Sequence, residues 1–218
     1  MAGEYLSVSD SDQYFLPDIP ISKRPTIEVA HFWDRQACAW ATGNLVEGRH
    51  ANLIGRMVEE LVSPLSDRAE ILELASGANN LKYYPVHFDF SRVIAVDISS
   101  RMLKYLRFGN PAIQTINADA RDLLPFQDES FDLALSFFSM RYLENQEAVI
   151  KELTRVVKPG GRVGIADYDD FLYGCEVRAF NARKQQQIIR QTGCLVEFSR
   201  LDSRFLPNLN SLVITKQS

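Results

Sequence analysis

The period of the apolar residues changes along the chain. Between residues 30 and 65 they recur every three to four positions, and from Glu70 onward short apolar runs alternate with amphipathic stretches. Helical spacing predicts one helix over 30 to 42 and a second over 51 to 62. In the second, Leu53, Ile54, Met57, Val58, Leu61 and Val62 form a single stripe suited to packing on a sheet. The runs near 70 to 74, 92 to 97, 113 to 117, 131 to 136 and 162 to 167 read as strands, separated by helical stretches near 80 to 87, 99 to 107 and 145 to 156. Alternation at this interval describes a parallel α/β sheet. A helix over 176 to 191, a strand near 194 to 200 and a last strand near 211 to 216 complete the pattern. Residues 1 to 28, with Pro17, Pro20 and Pro25 among polar neighbours, read as an extended arm.

Composition narrows the function classes. With 218 residues and 46% hydrophobic content, one sizeable core is expected rather than two domains with linkers. The net charge is −4 and the Lys and Arg residues are scattered, so no basic stripe points to nucleic acid. No stretch reaches the ~20 apolar residues of a membrane span, so no membrane partner is expected. The first residues lack the basic and apolar regions of a signal peptide. Cys38, Cys175 and Cys194 are far apart and form no Cys-x-x-Cys pair, which suits reduced thiols and a cytoplasmic location. No metal site is expected, and the oligomeric state is left open.

The chemistry concentrates in Ile71-Leu-Glu-Leu-Ala-Ser-Gly-Ala-Asn-Asn80 and Val93-Ile-Ala-Val-Asp97, two apolar strands with carboxylates beside a tight loop. Gly77 lies 20 residues before Asp97, the spacing at which a dinucleotide-type fold places a ribose-binding acid. Glu73 adds a sign: a carboxylate there repels a pyrophosphate and attracts an ammonium or sulfonium, so the expected cofactor is cationic. With these residues the chain resembles the class I methyltransferases that use S-adenosylmethionine, whose first motif runs acid, apolar, Gly, x, Gly, x, Gly. Here it runs Glu73, Leu74, Ala75, Ser76, Gly77, Ala78, Asn79. Ala75 is expected to keep a negative φ, while Asn79 is able to enter the left-handed region.

The resemblance extends over residues 70 to 216, through Asn117-Ala-Asp-Ala-Arg-Asp-Leu-Leu-Pro-Phe-Gln-Asp-Glu-Ser-Phe-Asp132 and Leu153-Thr-Arg-Val-Val-Lys-Pro-Gly-Gly-Arg162. It implies a Rossmann-like, seven-stranded, mostly parallel sheet with its last strand inserted antiparallel, helices on both faces and an N-terminal helical lid. The implied division is an arm with lid helices over 1 to 65 and a cofactor-binding core over 66 to 218. It also implies S-adenosylmethionine as cofactor, held by Glu73, Ala75, Gly77, Asp97, Ile98, Asp119, Ala120 and Ser136. Asp97 would hold the ribose hydroxyls, Asp119 would read the adenine amino group, and Glu73 would contact the methionine end. Their structural alternatives are a helix cap for Asp97 and satisfaction of loop amides for Glu73. Asn79 and Asn80 are expected to cap a following helix.

The acceptor side is less determined. Arg141 and Tyr142 stand where many relatives carry two histidines; Arg141 would hold an anionic group and Tyr142 orient the acceptor. His31, at the start of the first helix, is the third catalytic candidate, whereas His50 and His87 read as structural or solvated. Trp33 and Trp40 share one helix face and suit a core stripe. Asp167-Tyr-Asp-Asp170 reads as a helix-entry turn, a binder of a basic acceptor or, least favoured, a divalent-ion site. Residues 1 to 50 and the loop Phe171 to Tyr173 would roof the acceptor, which favours a small molecule. The expected reaction is methyl transfer to an oxygen or nitrogen of a small metabolite. The alternatives are a non-methylating reaction such as cyclisation or rearrangement, and a noncatalytic partner subunit. A nicotinamide oxidoreductase is opposed by Glu73 and the missing glycines.

Overall fold

Strands β1 (Ile71–Leu74), β2 (Val93–Asp97), β3 (Gln114–Asn117), β4 (Phe131–Phe137), β5 (Val157–Tyr168), β6 (Leu195–Leu201) and β7 (Leu209–Thr215) form one sheet in this computed structural model. Their spatial order is β3-β2-β1-β4-β5-β7-β6. β1 through β5 pair in parallel, and β7 lies antiparallel between β5 and β6. The structure describes residues 23–42, 49–168, 180, 182–190, 193–201 and 209–217. The expected arm up to residue 22, Asp169, Asp170, the Phe171 to Tyr173 loop and Cys175 lie outside these residues.

A parallel strand inside the sheet is covered on both faces, so it is buried throughout rather than alternately. β1 obeys this, with every residue buried, Glu73 included. On one face, α4 (Gln146–Val156) and α5 (Ala182–Arg190) bring Ile150, Leu153 and Ile189 onto Leu72, Leu74, Val163 and Ile165. On the other, α2 (Arg49–Val62) and α3 (Ser100–Gly109) bring Ile54, Val58, Leu61, Leu103 and Leu106 onto Ile71, Val93, Leu133 and Leu135. The stripe read from the sequence therefore covers the sheet, and α2 belongs to the core rather than to a lid. The remaining helix, α1 (Thr26–Thr42), packs on α3.

Three elements differ from the sequence expectation. α1 begins at Thr26, inside the arm expected over 1 to 28. Residues 80 to 87 form a single 3-10 turn over Asn80–Tyr83 instead of a helix. Pro85 disfavours helical backbone at the residue before it, and Tyr84 is extended, with φ −83 and ψ 156. Both Tyr83 and Tyr84 are buried, so the segment turns its rings inward rather than continuing a helix. β5 begins at Val157, ahead of the expected Arg162, because Lys158-Pro-Gly-Gly161 stays in the strand. Gly160 takes φ +80, and a Cβ on Gly161 would meet Val157 Cγ1 at 2.6 Å and the carbonyl oxygens of Asp132 and Lys158 at 2.8 and 3.0 Å.

The crowding at Gly161 and Gly164 differs in kind. A Cβ on Gly164 would meet only side-chain ends, Leu61 Cδ1 at 2.6 Å, Leu135 Cδ2 at 2.8 Å and Met57 Cε at 3.0 Å. Gly161→Ala is expected to destabilise by about 3 kcal/mol and Gly164→Ala by about 1 kcal/mol, because backbone carbonyls yield less than methyl groups. Urea denaturation midpoints of the two variants check this order.

Candidate active site

The loop after β1 is built on two left-handed residues. Ala75 takes φ +51 and Gly77 φ +61, while Asn79 stays at φ −147. The expectation for Ala75 and Asn79 is thus reversed: the turn falls at the first position, and the alanine there carries strain of about 1–2 kcal/mol. Ser76 N donates to Val96 O at 3.1 Å, pinning the loop against β2. Asn79 makes no side-chain cap bond, and Asn79 and Asn80 both line the cleft that the loop borders.

Asp97 ends β2 and holds this loop in place. Its Oδ2 accepts from Gly77 N at 2.8 Å and its Oδ1 from Ser99 N at 2.9 Å. The cap of α3 is Ser99, whose Oγ accepts from Met102 N, so the helix-cap alternative for Asp97 does not hold. Burial raises the Asp97 carboxyl to about 6 against those amide bonds. Glu73 lies below the cleft surface, fully buried. The Tyr84 hydroxyl donates to its Oε2 at 2.9 Å. Burial pushes Glu73 up to about 7, with the bonds from Tyr84 and Asn80 opposing.

A cleft partly open to solvent lies beside this loop. Ala75–Asn79, Asp97 and Ile98 form one side, Ala118–Arg121 the next, and Phe137, Phe138, Ser139, Tyr142 and Leu143 the far side. Val29, Trp33 and Trp40 of α1 complete it. The Trp stripe therefore faces the cleft as well as the core. α1 is attached at three strand exits. Asp34 Oδ1 accepts from Ser99 Oγ at 2.6 Å and Arg101 N at 3.0 Å, Thr26 Oγ1 donates to Asp119 Oδ2 at 2.9 Å, and the Trp33 ring meets Tyr142 edge-on with centroids 4.8 Å apart.

Asp119 is not an open acceptor. Arg121 Nε donates to both its oxygens at 3.0 and 2.9 Å, Arg121 Nη2 reaches Oδ2 at 2.5 Å, and Thr26 adds a further bond. Burial opposes its charge, but these donors together hold the carboxyl below its ordinary range. An incoming adenine amino group has to displace one of them. Arg121, which also donates to Arg24 O at 2.8 Å, was not singled out in the sequence. An Asp-x-Arg spacing just after a strand was its available signal.

The exit of β4 corrects two more expectations. Arg141 is 9% exposed, with Nε 3.0 Å from Asp167 Oδ1, its backbone N on Asp167 Oδ2 at 3.0 Å, and its guanidinium 4.6 Å over the Tyr168 ring. It pairs with a buried acid and is not among the residues that line the cleft. Asp167 is accordingly a structural ion-pair partner. Ser136 is fully buried, donating to Leu74 O at 3.0 Å and sharing a 2.6 Å bond with Ser139, which alone of the two lines the cleft. Phe138, between them, takes φ +56 and turns Ser139 inward. His31 is exposed on α1 and absent from the cleft lining.

Residues 72–165 match the family model described as methyltransferase domain. Similar curated proteins include the demethylmenaquinone methyltransferases of Clavibacter sepedonicus, 31% identical over 68% of this chain and 60% of that protein, and of Streptomyces griseus subsp. griseus, 32% identical over 68% and 63%. Residues 72–165 thus carry a methyltransferase domain similar to that of these proteins. The chain spans 60% of the first of these relatives. Among solved structures, the [4+2]-cyclase SpnF superposes with TM-score 0.68 at 15% identity, covering 89% of this chain and 97% of that one. Phosphoethanolamine N-methyltransferase 2 of Haemonchus contortus superposes with TM-score 0.66 at 17% identity, covering 87% and 60%. At these identities both show the fold.

Within this methyltransferase-family cleft, the structure gathers Ala75, Gly77, Asp97, Ile98, Asp119, Ala120 and Tyr142. It leaves Glu73 and Ser136 beneath the surface and places His31 and Arg141 elsewhere. Met102, Phe137, Phe138 and Ser139 join the lining without having been picked from the sequence. Among the described residues no His, Cys, Asp or Glu cluster could hold a metal ion, and no helix is long and apolar enough to cross a membrane.

Ala75→Gly is expected to stabilise the fold by about 1 kcal/mol by relieving the left-handed alanine, measurable as a raised denaturation midpoint. Glu73 supplies a pH test. Its folded pKa of about 7 lies above the ordinary 4.5, so its contribution is fully present below pH 4.5 and lost as pH rises through 7. Stability should therefore fall across that window, and Glu73→Gln should lessen the fall, leaving the part contributed by the raised Asp97 and Asp167 carboxyls. Denaturation at several pH values reads both.

Proposed function

We propose that this chain binds S-adenosylmethionine in the cleft and catalyses methyl transfer to a small, flat, largely apolar acceptor. The observation that carries the reading is the place of Asp97. Its carboxylate lies on the cleft surface with one amide on each oxygen, which leaves acceptor capacity for two ribose hydroxyls. The rest of the lining fits the same ligand. Ile98, Met102 and Leu143 offer an apolar slot for a base, and Ser76 Oγ is buried without a partner beside the loop. Glu73 beneath the loop disfavours a pyrophosphate.

When bound, S-adenosylmethionine supplies a methyl group on a sulfonium, an electrophile that needs an in-line nucleophile and little covalent assistance. The protein's part is to hold, orient and shield. Trp33, Trp40, Phe137, Phe138 and Tyr142 give the cleft aromatic walls that orient a flat acceptor and exclude water. Tyr142, its ring braced edge-on by Trp33, is the candidate acceptor-orienting residue. α1 acts as the lid.

From the sequence, oxygen or nitrogen is the expected target. A carbon is favoured beside oxygen by the relatives: similar proteins carry the name ubiquinone/menaquinone biosynthesis C-methyltransferase, and 33% identity over 45% of this chain joins one from Enterobacter to it. A nitrogen target is less favoured, because a basic amine would look for a carboxylate, and both acids on the cleft surface already hold donors.

Calorimetric titration with S-adenosylmethionine and with NAD tests the cofactor. Binding of the first and not the second is expected, and the reverse overturns the proposal. Asp97→Asn should weaken the S-adenosylmethionine affinity about tenfold, the order of one lost bond to a charged acceptor. Methyl transfer from isotopically labelled cofactor to a dihydroxynaphthalene, with the product resolved by NMR, separates carbon from oxygen methylation. Binding without transfer to any aromatic acceptor would favour a noncatalytic role.

A further inference from the structure

We propose that the start of α1 competes with the ligand for Asp119, so that a hydrogen-bond donor of the cofactor takes the place of the Thr26 hydroxyl and releases the first turn of the helix; this rests on the cofactor reading above. A carboxylate has about four lone-pair sites. Those of Asp119 are taken. Oδ1 accepts from Arg121 N at 2.9 Å and Arg121 Nε at 3.0 Å, and Oδ2 accepts from Arg121 Nε at 2.9 Å, Arg121 Nη2 at 2.5 Å and Thr26 Oγ1 at 2.9 Å. Asp119 nonetheless lines the cleft, so a further donor reaches it only by displacing one already there.

These donors are not equally replaceable. Arg121 lies two residues from Asp119 at the same strand exit, so its guanidinium travels with the acid, and a charged donor holds a carboxylate more firmly than a neutral one. The Thr26 hydroxyl is neutral and comes from 93 residues away. Arg121 also reaches the start of α1, with Nη2 on Thr26 Oγ1 at 3.2 Å and Nη1 on Arg24 O at 2.8 Å. When the Thr26 hydroxyl leaves, the guanidinium keeps both Asp119 and Arg24 O, and neither charge is stranded.

The first turn is placed to lift separately from the rest of the helix. Thr26, Ile27 and Glu28 are exposed, and Val29, which lines the cleft, is the buried residue of this turn. Its backbone is closed by Glu28 N and Val29 N on Pro25 O at 2.9 and 3.2 Å. Further along α1, Asp34 remains tied to Ser99 Oγ and Arg101 N, and Trp33 to the Tyr142 ring. A segment with few buried contacts opens at lower cost than the element it belongs to. Cofactor and first turn therefore oppose one another, and by linkage whatever weakens the hold of Thr26 favours the ligand. Arrival of the cofactor is thereby passed on to the helix that covers the cleft.

Calorimetry and amide hydrogen exchange test the competition. S-adenosylhomocysteine carries the adenine amino group, and its purine analogue, with hydrogen in place of that group, has no donor there. Thr26→Val, which removes the hydroxyl and nearly keeps the shape, should tighten S-adenosylhomocysteine about fivefold and leave the purine analogue unchanged, and Thr26→Ser should bind both as the unmodified protein does. Saturation with S-adenosylhomocysteine should speed exchange at the Glu28 and Val29 amides and not in the turns after Asp34. Weaker or unchanged S-adenosylhomocysteine binding in Thr26→Val overturns the competition, as does an equal gain for both probes, which would mark a general loosening. Unchanged or slower exchange at Glu28 and Val29 overturns it too, since the turn would then stay in place or close on the ligand. If the unmodified protein binds neither probe, the cofactor reading falls and this competition with it.

Discussion

One carboxylate holds the site together. Asp97 accepts the Gly77 amide on one oxygen and the Ser99 amide on the other, so the β1 loop and the start of α3 are fixed relative to a single side chain. Ser99 passes the connection on through its hydroxyl to Asp34 of α1. A loop, a strand end and two helices are thus joined by a continuous run of polar bonds, each member of which is satisfied by the next. Such a network is costly to break anywhere, because a buried partner would be left without a bond. The cleft is consequently formed before any ligand arrives, which is the condition for positioning to contribute to catalysis.

Strain accompanies this organisation at the strand exits. Two of the non-glycine residues with positive φ, Ala75 and Phe138, sit at the ends of β1 and β4, neighbours in the sheet, and both border the cleft. A backbone held in a sparsely populated region persists where its surroundings determine it fully, and such positions gather at binding sites.

The inner parallel strands were legible in the sequence because β1, β2, β4 and β5 each hold a short, mostly apolar run beside turn-forming residues. The helix expected over 80 to 87 was not, since its buried residues, Tyr83 and Tyr84, turn toward the Phe137 ring and the buried Glu73 rather than forming a stripe. Asp97 and Gly77 could be paired from spacing alone, as a loop and the next strand end have a fixed separation in this topology. Arg141 with Asp167, 26 residues apart, and Asp119 with Thr26, 93 apart, depend on which strands and helices become neighbours, and no local pattern carries that information.

The two outer strands have a consequence for how the molecule meets its own copies. β3 is four residues long and presents Gln114, Thr115 and Asn117, and β6 carries Glu197 and Arg200 along its exposed length. Unpaired strand edges are templates for further strands, and short, polar or charged edges blunt that tendency, because stacking another chain there would strip water from groups that the new neighbour does not replace. Among the described residues β3 and β6 are the outer strands, and their polar and charged side chains lessen the tendency of two copies to join edge to edge.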